Sequence, residues 1–164
     1  TLAMAKLAGL KVVSTSRTEA KVDVLIQARA DKVVIDDGRL AERIRADYPK
    51  GVDRVLELIG TTTLLDSLQC VRSGGVVCMT GILGGEWELA SFRPMGQIPT
   101  GVRLSSYSGG AADISPDQLQ RYVSMVETGE LTIHRGPTWG FDQLPLAHQA
   151  MDDNSANGKM VVVV

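Results

Sequence analysis

The sequence predicts an α/β fold built on a doubly wound parallel sheet, and three observations carry that prediction. Short β-branched runs alternate with helical stretches along the chain. Several of the runs, such as KVVI at 32–35 and GVVCMT at 75–80, are continuously apolar, the pattern of strands buried on both faces. The segments between them are short enough to be βαβ crossovers.

Taken in order, residues 2–8 set Leu2, Ala5, Leu7 and Ala8 on one side of a helix that Gly9 ends. KVVSTS at 11–16 is the first strand. Thr18 caps a second helix, with Glu19 in its first turn and Val22, Leu25 and Ile26 on one face. A strand at 32–35 leads to a helix at 40–46 that gathers Leu40, Ala41 and Ile44. DRVLELI at 53–59 is a strand. The helix at 62–71 then gathers Leu64, Leu65, Leu68 and Val71, and Ser73, Gly74 and Gly75 end it. After the strand at 75–80, residues 87–100 are the longest irregular stretch, a surface loop or lid holding Trp87, Pro94, Met95 and Pro99. A strand follows at 102–106. Ser115 and Pro116 open a helix carrying Leu119, Tyr122, Val123 and Val126, which stops near Gly129. A last helix covers about 142–151, and KMVVVV at 159–164 is a strand.

The chain has 164 residues, one domain's length, with 44% hydrophobic and 22% charged residues and a net charge of −2. That balance argues against nucleic acid or an anionic membrane surface as partner. No apolar run nears the roughly 18 residues of a membrane span. No charged-then-apolar leader opens the chain. Two cysteines build no disulfide framework, and the composition reads as cytoplasmic.

In doubly wound sheets ligands bind outside the carboxyl ends of the strands. After the first strand come Ser14, Thr15, Ser16 and Arg17, with Lys21 a helical turn on. A dinucleotide fold reads the adenosine ribose here. A carboxylate at this tip suits NAD, whereas hydroxyls and cations suit the 2′-phosphate of NADP. Taken without that fold, Arg17 and Lys21 are an ordinary solvated surface pair. Gly60 follows the 53–59 strand, and its neighbours Thr61, Thr62 and Thr63 can cap the next helix. Gly81, Ile82, Leu83, Gly84 and Gly85 follow the 75–80 strand; glycines here let peptide groups approach a flat ring, though a plain turn reads the same way. His134 and His148 have no zinc partners in the sequence. Cys70 and Cys78 read as core residues, Asp36 and Asp37 as a strand-end turn, and Asp152 and Asp153 as a solvated helix end. No catalytic side chain and no metal ligand is assigned.

These residues resemble the nucleotide-binding half of the medium-chain dehydrogenase/reductase superfamily, in particular its zinc-independent quinone oxidoreductase branch. The likeness is carried by AMAKLAGLKVVSTSRTEAK at 3–21, ARADKVVIDD at 28–37, GVDRVLELIG at 51–60 and SGGVVCMTGILGG at 73–85. It continues in SPDQLQRYVSMVETGEL at 115–131 and in LAHQAM, then NGKMVVVV, within 146–164. The resemblance implies a Rossmann-like domain of an NADPH-dependent enzyme that passes hydride to a quinone or another electron-poor carbonyl or alkene. It places Ser16, Arg17 and Lys21 on the 2′-phosphate, Gly60 along the cofactor, and Gly81, Ile82 and Leu83 near the nicotinamide. It also implies a homodimer paired along the strand at 102–106. A non-catalytic NADPH-sensing domain or a Rossmann-like assembly domain is the alternative, since fold alone does not fix function.

The sequence departs from the family in three ways. Arg29 stands where the family has glycine, so a non-glycine residue must turn left-handed or the helix must end differently. The first strand and its Gly-rich turn are absent, so residues 1–155 read as an incomplete dinucleotide-binding domain. Residues 156–164 read as a strand that in the family returns to a catalytic domain, also absent. The chain thus reads as a fragment, inactive alone. The absent strand is central in the 3-2-1-4-5-6 order. Its loss removes about four buried side chains, about 6–12 kcal/mol. Something is therefore expected to fill the gap: residues 160–164, another copy, or an upstream segment.

Overall fold

All four strand pairings among the described residues of the computed structural model are parallel. Those residues are 1–153, 155–156 and 158–164; Asn157, at the head of the NGKMVVVV segment, lies outside them. In chain order the elements are α1 (Leu2–Leu7), β1 (Val13–Ser16), a 3₁₀ turn at Glu19–Lys21, α2 (Val22–Gln27), β2 (Lys32–Ile35), α3 (Leu40–Asp47), β3 (Val52–Glu57), α4 (Thr61–Cys70), β4 (Val71–Met79), α5 (Pro94–Gln97), β5 (Arg103–Ser106), a 3₁₀ turn at Ala111–Asp113, α6 (Pro116–Glu127), β6 (Arg135–Gly140), a 3₁₀ turn at Phe141–Gln143, α7 (Leu144–Asp152) and β7 (Lys159–Val163). The chain divides into two compact units. One is Val12–Ser115; the other joins Thr1–Lys11 to Pro116–Val164.

The Val12–Ser115 unit holds two separate sheets, β1–β2 and β3–β4–β5. Leu64 and Leu68 of α4 pack on Val71, Val77 and Val102, and Leu68 and Val77 are fully buried. The apolar stripe at 64, 65, 68 and 71 is therefore the core-facing side the spacing predicts, worth roughly 1.5–3 kcal/mol per fully buried side chain. A second cluster joins Val34, Leu40, Ile44 and Cys70, with Val13, Val52 and Val55 packed against it. Strands of both sheets thus lean on the same pair of helices, α3 and α4. Yet β1 and β3 do not pair, and among the described residues each keeps an edge without a strand. This is the doubly wound parallel arrangement lacking its central strand.

Residues 160–164 do not fill that gap. Residues 160–163 lie in β7, which pairs with β6 through Arg135↔Lys159 and Thr138↔Val161. β6 itself has no strand signature: RGPTWG carries two glycines and a proline, which read as a turn. The ladder accommodates them because its register shifts between Arg135 and Thr138, where Pro137 has no N–H to donate. α7 packs on both strands and buries Ala147.

Two further differences have local causes. The helix predicted to run through Val71 ends at Cys70, and Val71 already pairs with Val52. Pairing resumes at Arg54↔Val76, so residues 72–75 bulge out of β4. Gly75 permits the close return, because a Cβ there would lie 2.3 Å from Val71 Cγ1 and 2.6 Å from the Asp53 carbonyl. In the 87–100 stretch, Pro94 opens the one-turn helix α5. Arg29 adopts the left-handed conformation, φ +73°. Its N–H donates to the Ile26 carbonyl and that of Ala30 to Leu25, the bonding that commonly closes a helix on glycine.

Candidate functional site

Parallel strands bring their carboxyl ends to one side of each sheet, so the segments after β1, β3 and β4 are where a ligand is met. The first cluster lies after β1. Ser16 Oγ donates to the Thr18 carbonyl at 2.7 Å and accepts from the Thr18 N–H at 3.2 Å, which folds the tip back on itself. The Ser16 carbonyl accepts from the Asp36 N–H at 2.8 Å, tying the end of β1 to the end of β2. Arg17 and Lys21 are exposed, and no side-chain hydrogen bond or ion pair engages either among the described residues. Two uncommitted cations thus follow the end of β1 in the chain.

The carboxylate after β2 is, by contrast, committed. Asp37 accepts from Arg43 Nη2 at 2.6 Å and from Arg39 Nη2 at 3.1 Å, and those hydrogen bonds hold its carboxyl well below the usual carboxylate range. Asp36 accepts from the Gly38 N–H at 2.9 Å. The two aspartates form the strand-end turn the sequence suggests.

The second cluster is a double loop after β3 and β4. The Thr80 N–H donates to the Glu57 carbonyl, Leu83 to Leu58 at 3.2 Å, and Gly84 to Ile59 at 2.7 Å. Thr61 Oγ1 donates to the Glu86 carbonyl at 2.7 Å. Gly60, Gly81, Ile82 and Leu83 are brought together here. Gly60 is buried with φ +108°, and a Cβ on it would lie 3.1 Å from the Gly81 carbonyl. A Cβ on Gly81 would lie 2.3 Å from the Leu58 carbonyl, and one on Gly84 2.7 Å from Thr62 Oγ1. These glycines are thus required first by the packing of one loop on the other. Ile82 is half-buried, and Leu83 is exposed. The two clusters rise from β1 and from β3–β4, whose sheets do not pair.

One residue of this site escapes sequence reading. Glu57 closes β3 and is only 4% exposed. Its Oε1 accepts from the N–H groups of Ile59 (2.8 Å) and Gly60 (3.1 Å) and from Thr63 Oγ1 (2.9 Å), and Oε2 accepts from Ser67 Oγ. The available signal is a lone carboxylate in an otherwise apolar strand end, just ahead of Gly60 and three threonines.

Cys70 is buried, and burial pushes its thiol up to about 12, which makes it an inert core residue at neutral pH. Among the described residues, no group of three or more His, Cys, Asp and Glu side chains could hold a metal ion. The donor set of the two clusters is instead cations, hydroxyls and backbone, which fits a phosphorylated organic cofactor.

Residues 28–162 match the zinc-binding dehydrogenase family. Among solved structures, an NAD-dependent alcohol dehydrogenase is 19% identical, with a TM-score of 0.85 over 99% of this chain and 46% of its own. A quinone oxidoreductase of Pseudomonas syringae pv. tomato DC3000 is 17% identical, with a TM-score of 0.82 over 99% of this chain and 52% of its own. A mycobacterial protein solved in complex with NADPH is 20% identical, with a TM-score of 0.83 and the same coverage. No curated protein matches the chain. The chain therefore spans about half the length of the solved structures it matches.

Proposed function

The chain belongs to the zinc-binding dehydrogenase family, and from that premise we propose that it is the cofactor-binding part of an NADPH-dependent oxidoreductase acting on a quinone or another electron-poor carbonyl or alkene. The observation that carries this reading is the pair of unengaged cations, Arg17 and Lys21, at the carboxyl end of β1. Arg17 and Lys21 contact the 2′-phosphate, and the Ser16 hydroxyl, held by Thr18, completes the tip. Relatives of both cofactor types share the fold, one titled NAD-dependent and one solved with NADPH. The choice therefore rests on the cations rather than on the likeness.

Gly60, Gly81, Ile82 and Leu83 flank the ring end of the cofactor. Glu57 supports that placement, because its carboxylate puts a negative charge at the amino end of α4, where a phosphate would otherwise be attracted. When bound, the cofactor supplies the hydride, and these residues orient it and exclude water. The donor set does not fit a zinc ion, so none is assigned to the described residues. No described residue is assigned to a pyrophosphate turn, to a substrate pocket or to a strand between β1 and β3. The edge of β5 not used by β4 offers the surface for a symmetric dimer.

Arg17→Ala tests the reading in the protein that contains this chain. Loss of a charge-assisted contact should weaken NADPH binding by about tenfold to a hundredfold and leave NADH within about twofold. A comparable loss for both cofactors would contradict the assignment.

A further inference from the structure

Glu57 is the one charged residue buried among the described residues, and all its partners are neutral donors: two backbone N–H groups and two hydroxyls. A buried carboxylate is tolerated only when its oxygens are satisfied in this way. The two backbone donors have a particular place in the chain. The Ile59 N–H and the Leu58 carbonyl belong to one peptide plane; the Gly60 N–H and the Ile59 carbonyl belong to the next. In a trans peptide, N–H and C=O point in opposite directions. Each plane therefore faces Glu57 on one side and the second loop on the other. Leu58 accepts from the Leu83 N–H and Ile59 from the Gly84 N–H.

We propose that Glu57 is a positioning residue: by fixing these two peptide planes, it sets where Leu83 and Gly84 stand on the ligand side of the double loop. The inference rests on the cofactor reading above and names what holds that site in shape. Coupling runs from carboxylate to amide to carbonyl to amide, a chain in which each bond polarises the next. Thr63 and Ser67 anchor the carboxylate to the first two turns of α4, so the loop is referred to a core helix rather than to solvent.

Amide hydrogen exchange on the full protein, comparing wild type with Glu57→Gln and Glu57→Ala, tests the role. In the glutamine variant the side-chain oxygen can accept the same N–H groups, while the Ser67 hydroxyl turns to accept from the side-chain amide. Protection at Leu83 and Gly84 should then stay within about threefold of wild type. Glu57→Ala should raise exchange at those two amides by about tenfold or more, while the β1–β2 amides keep their protection. No change at Leu83 and Gly84 in the alanine variant would overturn the proposal, as would a glutamine variant as disturbed as the alanine one. Should the alanine variant lose protection throughout, Ser67→Ala decides: a rise confined to the second loop supports the role, and none there overturns it. NADPH titration of the wild type runs beside these. Failure to bind would count against the cofactor reading and leave the exchange result standing.

Discussion

Arg29 closes α2 with φ +73°, a conformation that costs a side chain about 1–2 kcal/mol. Glycine there would forgo that cost but lose about 0.5–1 kcal/mol of chain entropy. Arg29→Gly should therefore raise stability by about 0.5–1 kcal/mol, seen as a higher urea midpoint at unchanged slope. A lower midpoint would show that the arginine contributes something beyond its backbone. The position is legible through the family resemblance, which sets glycine where Arg29 stands. Arg17 and Lys21 are legible because strand ends can be located from the β-branched run before them. Glu57 is not: its nearest donors, at Ile59 and Gly60, are backbone N–H groups that any residue type carries, and Ser67 lies ten residues along.

At the scale of elements, the buried ones are readable and the irregular ones are not. α3 and α4 show their apolar stripes because each must cover a sheet. β6 is hidden because its glycines and Pro137 argue against a strand, and only pairing with β7 makes one. The start of β4 is hidden because the 72–75 bulge separates Val71 from the rest of its ladder. In sequence, the glycines of the double loop read as room for a ligand, whereas Gly60 and Gly81 lie against the backbone of the facing loop. Gly81 and Gly85 test that distinction. A Cβ on Gly81 meets the Leu58 carbonyl, so Gly81→Ala should cost about 2 kcal/mol or more. Gly85 has φ +81° but open space around it, so Gly85→Ala should cost only about 1 kcal/mol. Thermal or urea unfolding of the two variants checks the order, and equal losses would mean that the loops can move apart.

Across the whole molecule, the strand order explains what the site has and lacks. β1 carries the cations, β3 and β4 carry the double loop, and between β1 and β3 no described strand is paired. Such open edges are a liability that proteins ordinarily cover. The parallel fold is legible from the alternation and the continuously apolar runs, and the gap from the family resemblance, but the partner of the last strand is not. Everything said of the cofactor depends on the basic tip recognising a 2′-phosphate. The direct measurement is fluorescence titration of the protein containing this chain with NADPH and, separately, with NADH at the same ionic strength. Free cations at the tip predict that NADPH binds about tenfold or more tightly, a difference of at least about 1.4 kcal/mol. Equal affinities, or tighter binding of NADH, would contradict it.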